Sequence, residues 1–134
     1  MAKLAKKDDP CKALAVAAAQ IAHDDHCEDV IILDLRGVSP VTDYFVIATG
    51  TSGRQLRSVA DDIMQHGKSI GQKAWHAEGL DTGQWILLDF VDVVVHLFDP
   101  DRRDYYSLEL LWGEVPRIPW AVKKRKLAAR KTGE

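Results

Sequence analysis

The sequence predicts a single α/β (α+β) domain in which helices pack on a mixed five-stranded sheet. The elements follow the order α-β-β-α-β-β-β-α, and two of the strands are apolar on both faces, which is typical of a covered sheet. The chain has 134 residues, enough for one buried core. We expect the domain to span 10–112, after a flexible N-terminus at 1–9 and before a proline-containing basic tail at 113–134.

The first predicted helix covers 10–25. Asp9 is its expected N-cap, and Pro10 suits the first helical position. Its apolar stripe consists of Leu14, Ala17, Ala18, Ile21 and Ala22. Cys11 and Cys27 flank this helix about 24 Å apart, whereas a disulfide needs Cα atoms closer than about 7 Å. We therefore expect free thiols, as in a reducing compartment.

Two consecutive segments, "DVIILDLRG" and "YFVIATG", are apolar on both faces apart from Asp34. Strands of this composition are typical of the centre of a sheet, so we expect both strands there. The turn region "VSPVTD" joins them.

The next segment, "TSGRQLRSVADDIMQHG", is predicted to be an amphipathic helix. Ser52 is its expected N-cap and Gly67 or Gly71 its expected end. The inward face is expected to carry Leu56, Val59, Ala60, Ile63 and Met64. A short strand, "KAWHAEG", and a turn, "LDTG", follow.

The segment "GQWILLDFVDVVVHLFD" is predicted to form a β-hairpin. A reversal at Phe90-Val91 pairs Leu88 with Val93 and Trp85 with His96. One face is then wholly apolar and belongs to the core: Ile86, Leu88, Val93, Val95 and Leu97. Because phenylalanine and valine rarely adopt the positive φ of a two-residue turn, a longer or distorted turn remains an alternative.

The other face of the hairpin combines large apolar groups with acids and a histidine. It carries Trp85, Leu87, Asp89, Asp92, Val94, His96 and Phe98. Apolar groups with charge at one edge are typical of a protein–protein interface. We therefore expect this outer face to bind a partner.

A last helix is predicted after Pro100, and its aromatic stripe is a second candidate for partner contact. The stripe consists of Tyr105, Leu108 and Trp112. Aromatic residues at helical spacing usually belong to a core, but the chain has four tryptophans, more than a small core easily hides. Beyond Gly113, Pro116 and Pro119 are expected to prevent regular structure.

Charge is distributed unevenly along the chain. The segment 121–134 holds six of the 18 basic residues and one of the 20 acidic residues. Residues 1–120 therefore carry 12 basic and 19 acidic residues, a net charge of −7. An acidic body favours a basic partner. The tail is either a solvated end or a weak contact for RNA phosphates.

Hydropathy excludes a membrane span, because no apolar run reaches the ~18 to 20 residues that a span needs. The N-terminus lacks the apolar region of a secretory signal. We expect a cytoplasmic protein.

A nucleotidyltransferase-like metal-dependent enzyme is the alternative function, because Asp89 and Asp92 accompany a "GTS" element. However, residues three apart on one strand point to opposite faces, so only the turn of the hairpin brings the two acids together. No lysine follows Gly50 as a P-loop requires. This pattern does not favour catalysis.

The cluster "HDDHC" resembles a metal site, since His23 and His26 are three residues apart with Cys27 beside them. No second pair of ligands stands at zinc spacing, and no serine or cysteine belongs to a nucleophile motif. We expect no catalytic residue, no metal and no cofactor.

The segments "VIILDLRGVSPVTDYFVIATGTSGRQ", "DVVVH.F" and "Y.LE.LW" resemble the ribosomal silencing factor family, RsfS or Iojap. The resemblance covers about 10–112. It implies a fold similar to nucleotidyltransferases without the catalytic metal dyad.

The resemblance implies a translation repressor without enzymatic activity. Such proteins bind ribosomal protein number fourteen of the large subunit and block subunit joining when nutrients are short, and they often form homodimers. The matching motif residues are Trp85, Asp89, Asp92, His96, Tyr105 and Trp112. At Val91 the family commonly has glycine, so the chain departs from the pattern in the turn.

Overall fold

The computed structural model describes residues 9–101 and 115–120. Within these residues, two helices, α1 and α2, and five strands, β1 to β5, follow one another along the chain. Their bounds are α1 Pro10–Asp24, β1 Glu28–Asp34, β2 Tyr44–Thr49, α2 Gly53–Ser69, β3 His76–Glu78, β4 Trp85–Asp89 and β5 Val93–Phe98.

The strands form one mixed sheet in the order β1-β2-β5-β4-β3, which confirms the predicted fold class. β2 and β5 are parallel, and the other neighbouring pairs are antiparallel. Both helices pack on the same face of the sheet, where they bury one large apolar cluster with Tyr44, Val46 and Leu97. A smaller buried cluster lies on the opposite, outer face and contains Leu33, Leu35, Ile47 and Phe98.

Helix α1 begins as the sequence predicts. The Asp9 carboxylate accepts the backbone N–H groups of Cys11 and Lys12, at 3.0 and 3.2 Å. Its buried stripe differs slightly from the predicted one and consists of Leu14, Ala15, Ala18, Ala19 and Ala22. Small alanine side chains surround the helix, so helical spacing alone does not fix which of them faces the sheet.

Helix α2 also follows the prediction. The Ser52 hydroxyl accepts the Gln55 backbone N–H at 3.1 Å, and the helix ends at Ser69. Leu56, Val59, Ala60 and Ile63 are buried, and Met64 packs partly buried against the core. Gly67 lies inside the helix rather than at its end, and Phe90 packs against it: a Cβ at Gly67 would lie 2.9 Å from the Phe90 ring.

The predicted pairing of the hairpin is wrong by two residues. The structure pairs Asp89 with Val94 and Trp85 with Phe98, and the turn lies at Val91-Asp92 instead of Phe90-Val91. Phe90 is buried against α2, so it stays in the ladder, where its N–H donates to the Val93 carbonyl at 2.8 Å. A shift of two residues keeps the side-chain alternation, and the predicted inner face is indeed buried.

The prediction that both apolar strands are central holds for β2 but is wrong for β1, which is an edge strand. Residues 115–120, which we call the C-terminal strap, cover that edge. The Pro116 carbonyl accepts the Asp34 N–H at 2.8 Å, and the Ile118 N–H donates to the Ile32 carbonyl at 3.0 Å. The strap forms one antiparallel bridge, between Leu33 and Arg117, rather than a strand.

Trp120 anchors the end of the strap between α1 and β1. Its indole N–H donates to the Val30 carbonyl at 3.2 Å, and its own carbonyl accepts from the Gln20 amide at 2.6 Å. The His23 ring packs on the Trp120 ring, with 5.3 Å between centroids. His23, one member of the "HDDHC" cluster that resembles a metal site, thus contacts an aromatic side chain.

Two further expectations concern the cysteines and the last helix. Cys11 and Cys27 are both free, as predicted. Helical backbone begins at Pro100, but Tyr105, Leu108 and Trp112 lie outside the described residues. None of the helices in 9–101 is long and apolar enough to cross a membrane.

Candidate protein-docking groove

The outer face of the sheet carries an apolar groove of about 620 Å³, on the side opposite both helices. Four of the residues predicted to contact a partner line it: Leu87, Asp89, Val94 and His96. Six further lining residues were not predicted as site residues: Ser39, Val41, Thr42, Phe45, Trp75 and Val91. The hairpin thus supplies one wall. The loop before β2, Phe45 in β2 and the residue before β3 supply the rest.

The added residues make the groove more apolar and more exposed than the hairpin alone. Val41 and Trp75 are each 76% exposed, and Val91 is 53% exposed. Val38, in the same loop as Val41, is also exposed, whereas Ile70 is the one exposed large apolar residue of 9–101 and 115–120 that lies elsewhere. Apolar side chains concentrated in one patch mark an interaction surface.

The sequence contained a signal for these residues. Val38 and Val41 stand in a segment that otherwise reads as a polar turn, and Trp75 stands in a short strand with polar neighbours. A large apolar residue in a predicted loop has no core to enter. The segment predicts a turn from its proline and polar residues, and that prediction does not use its valines.

Asp89 fixes the geometry of one end of the groove. Its Oδ1 accepts the Val91 N–H at 2.7 Å, and its backbone carbonyl accepts the Trp75 N–H at 2.7 Å. The backbone of Trp75 is therefore held beside Asp89, and both residues line the groove. This arrangement places one negative charge within a patch that is otherwise apolar.

Asp92 does not join Asp89. Its side chain lies on the helix side of the sheet, where its Oδ2 contacts the Cys11 thiol at 3.7 Å. The predicted pair of acids on one face is therefore not formed, because the turn at Val91 separates the two side chains. Burial, and then Asp92 and Asp9, raise the pKa of the Cys11 thiol to about 11. The thiol stays protonated at neutral pH and is a weak nucleophile.

Trp85 does not line the groove but orients a residue that does. Its ring stacks on Phe98 with 5.2 Å between centroids, and its indole N–H donates to Nδ1 of His96 at 3.2 Å. Burial lowers the pKa of His96 to about 4, so the ring is neutral at neutral pH. Because Nδ1 accepts the hydrogen bond from the Trp85 indole, the proton of the neutral ring resides on Nε2.

Metal binding has no support among residues 9–101 and 115–120, where no three histidine, cysteine or acidic side chains are placed to hold an ion. His26 and Cys27 follow α1, and Cys27 is buried. Burial raises the pKa of its thiol to about 11. The Cys27 thiol is therefore protonated at neutral pH.

Comparisons with known proteins agree on one family. A family model described as "Ribosomal silencing factor during starvation" matches residues 8–134. The ribosomal silencing factor RsfS of Bacillus subtilis is 41% identical over 105 residues, covering 78% of this chain and 89% of that protein. The chloroplastic protein Iojap of Zea mays is 35% identical over 118 residues, covering 85% of this chain and 50% of that protein.

A more distant relative and two solved structures complete the comparison. The mouse protein named "Mitochondrial assembly of ribosomal large subunit protein 1" is 32% identical over 95 residues, 69% of this chain and 42% of that protein. A crystal structure from Chromobacterium violaceum superposes with a TM-score of 0.74 at 33% identity, covering 84% of this chain and 92% of that one. A second, from Bacillus halodurans, gives 0.68 at 34% identity, covering 84% and 99%.

Proposed function

Because the chain belongs to the ribosomal silencing factor family, we propose that it binds the large ribosomal subunit through ribosomal protein number fourteen. The bound domain blocks joining of the two subunits and so represses translation under nutrient limitation. The exposed apolar groove on the outer face is the observation that supports a docking function most directly.

The groove has the composition of an interface. Its exposed residues are apolar, with an aromatic side chain at Trp75 and one carboxylate at Asp89. Large aromatic side chains contribute much of the binding energy of protein interfaces. The net charge of −7 over residues 1–120 suits a basic partner, as ribosomal proteins commonly are, and speeds encounter with it.

The mechanism that we propose is steric. The domain needs no reacting group, because a protein that occupies the joining face excludes the small subunit by its volume. The family is described as a silencing factor, a regulatory activity. The transferase alternative gains no support from the geometry, because Asp89 and Asp92 lie on opposite sides of the sheet.

We assign the contact to Leu87, Asp89, Val94 and His96, as the sequence predicts, and add Val41 and Trp75. The stripe of Tyr105, Leu108 and Trp112 remains a proposed second contact. Trp85 lies on the same face beside the groove and orients His96. Asp92 holds the turn through its backbone carbonyl, which accepts the N–H groups of Asp43 and Tyr44 at 2.9 and 3.1 Å.

Three further features belong to the same proposal. The isolated protein forms homodimers, it resides in the cytoplasm, and the basic tail at 121–134 makes a weak contact with RNA. The six basic residues of that tail support the last point, because lysine and arginine bind phosphates and the contact weakens with salt.

Co-sedimentation with isolated large subunits tests the docking surface. Trp75→Glu and Val41→Glu each place a charge in the groove at a largely exposed position, so folding is expected to persist. We expect each to weaken binding by about 30-fold or more, the effect of losing an interface hot spot of about 2 kcal/mol. Ile70→Glu is the matched control, since Ile70 is exposed outside the groove. Undiminished binding by both groove variants would reject the proposal.

A further inference from the structure

Two polar side chains in the groove each have one buried polar atom without a hydrogen-bond partner among the described residues. His96 is 6% exposed and Thr42 is 7% exposed. The His96 Nε2 and the Thr42 Oγ1 have no partner among the residues that the structure describes, and solvent does not reach either atom. Buried polar groups are normally paired, since an unpaired donor loses its bond to water without replacement.

The chemistry of His96 is fixed by its other nitrogen. The Trp85 indole donates to Nδ1, so the neutral ring carries its proton on Nε2. Nε2 is therefore an uncharged donor. The Thr42 hydroxyl both donates and accepts, so each of the two groups can donate to an acceptor on a partner.

The remainder of the lining limits the kind of acceptor. Phe45, Leu87 and Val94 are apolar, so burying an ionised group against them is costly. Asp89 also lines the groove and repels an incoming carboxylate or phosphate. An uncharged acceptor, such as a backbone carbonyl or a side-chain amide, has neither disadvantage.

We propose that the groove recognises uncharged hydrogen-bond acceptors, flanked by an apolar side chain, on a loop of the docked ribosomal protein, and that His96 Nε2 and Thr42 Oγ1 each bind one of them. This inference rests on the proposed function and names the feature of the partner that the groove selects. The contact forms as the occupant displaces the side chains that cover the two atoms. His96 and Thr42 thereby determine specificity, while the exposed rim at Val41 and Trp75 supplies apolar contact.

If His96 and Thr42 bind the partner, removing their donors lowers affinity without lowering stability. If their role is purely structural, stability falls instead. Thr42→Val keeps the shape of the side chain and removes a hydroxyl that has no partner in the free protein. His96→Phe keeps a planar ring and removes the Nε2 donor. We expect the thermal midpoint of Thr42→Val to equal or exceed that of the wild type.

The experiment measures affinity of the full chain for isolated large subunits. We expect Thr42→Val and His96→Phe each to lower affinity about 3- to 10-fold, the effect of one lost hydrogen bond. Thr82→Val, in the exposed turn before β4, is the matched control and should bind like the wild type. If His96→Phe does not fold, Thr42→Val decides alone.

The outcomes separate this inference from the proposed function. Wild-type affinity of Thr42→Val, together with weak binding of Val41→Glu, would overturn the inference and leave docking at the groove intact. Wild-type affinity of both would overturn docking at the groove and the inference with it. A lower thermal midpoint of Thr42→Val with unchanged affinity would assign Thr42 a structural role and also overturn the inference.

Discussion

Val91 illustrates how one residue shapes the site. Its φ of +77° is rare for a β-branched side chain, and the Asp92 N–H donates to the Phe90 carbonyl at 3.0 Å, as in a γ-turn. The Asp89 carboxylate holds the strained backbone through the Val91 N–H. Glycine adopts this conformation without strain, and the resemblance implies a glycine at this position of the family.

Replacing Val91 with glycine should therefore stabilise the domain. Relief of the strained φ is worth about 1 to 3 kcal/mol, and the extra freedom of glycine in the unfolded chain offsets about 0.5 to 1 kcal/mol. We expect the free energy of unfolding from urea denaturation to rise by about 1 kcal/mol. A decrease would show that the valine side chain stabilises the turn by more than its backbone costs.

His96 gives the domain a pH-dependent stability. Burial lowers its pKa in the folded state to about 4, from about 6.5 when unfolded, so the unfolded chain binds more protons between these values. The contribution is fully present above pH 6.5 and is lost as pH falls toward 4. We expect the wild type to lose about 2 kcal/mol more than His96→Phe between pH 6.5 and 4.5 in denaturant titrations. Equal losses would show that His96 titrates normally.

At the scale of elements, the hairpin shows what alternation does and does not determine. Alternation correctly assigned the strand residues to the two faces, because the side-chain period of a strand is two. Asp92 is the exception, since it lies in the turn and contacts Cys11 on the helix side. Alternation left the register undetermined, since a shift of two residues preserves both faces. The register depends on Phe90 packing against Gly67, a contact between distant parts of the chain.

The strap shows a second limit of sequence patterns. β1 is apolar on both faces, yet it lies at an edge because another segment of the chain covers it. Pro116 faces β1 without an N–H to donate, and Pro119 offers none to a further strand. The strap therefore covers the edge of the sheet at β1. The same prolines that predicted the absence of regular structure prevent a further strand from pairing there.

Truncation of two tryptophans, Trp120 and Trp75, should affect the free energy of unfolding to different extents. Trp120→Ala removes the indole bond to Val30 and the contact with His23, so we expect a loss of about 2 kcal/mol in the free energy of unfolding. Trp75→Ala truncates an exposed ring, and we expect a change within about 0.5 kcal/mol. Chemical denaturation of both variants provides the measurement, and equal losses would contradict the assigned roles.

At the scale of the whole molecule, the sheet topology assembles the groove. β2 lies beside β5 in parallel, so the loop before β2 reaches the turn between β4 and β5. β3 pairs with β4 and places Trp75 at the same end. The sequence predicted the mixed sheet, the acidic body and four groove residues. Of the other six, Val91 lies in the turn of the hairpin, and five come from segments whose proximity depends on strand order, which hydrophobic periodicity does not encode.

The division of the two faces assigns each a separate task. α1 and α2 bury the large core on one side, so the opposite side is free to present the groove. The sheet holds the features of such a docking surface in fixed positions: the shape of the groove, its exposed apolar side chains and the carboxylate of Asp89. In the proposed function, the domain acts through the position that it occupies on the ribosome.

Joining of purified subunits tests this account most directly. Large and small subunits are mixed in magnesium buffer with an excess of protein, and the joined fraction is read from a sucrose gradient. We expect the wild type and Ile70→Glu to keep the subunits apart, and Trp75→Glu to let them join as they do without added protein. Inhibition by Trp75→Glu at wild-type strength, or no inhibition by the wild type, would contradict the account.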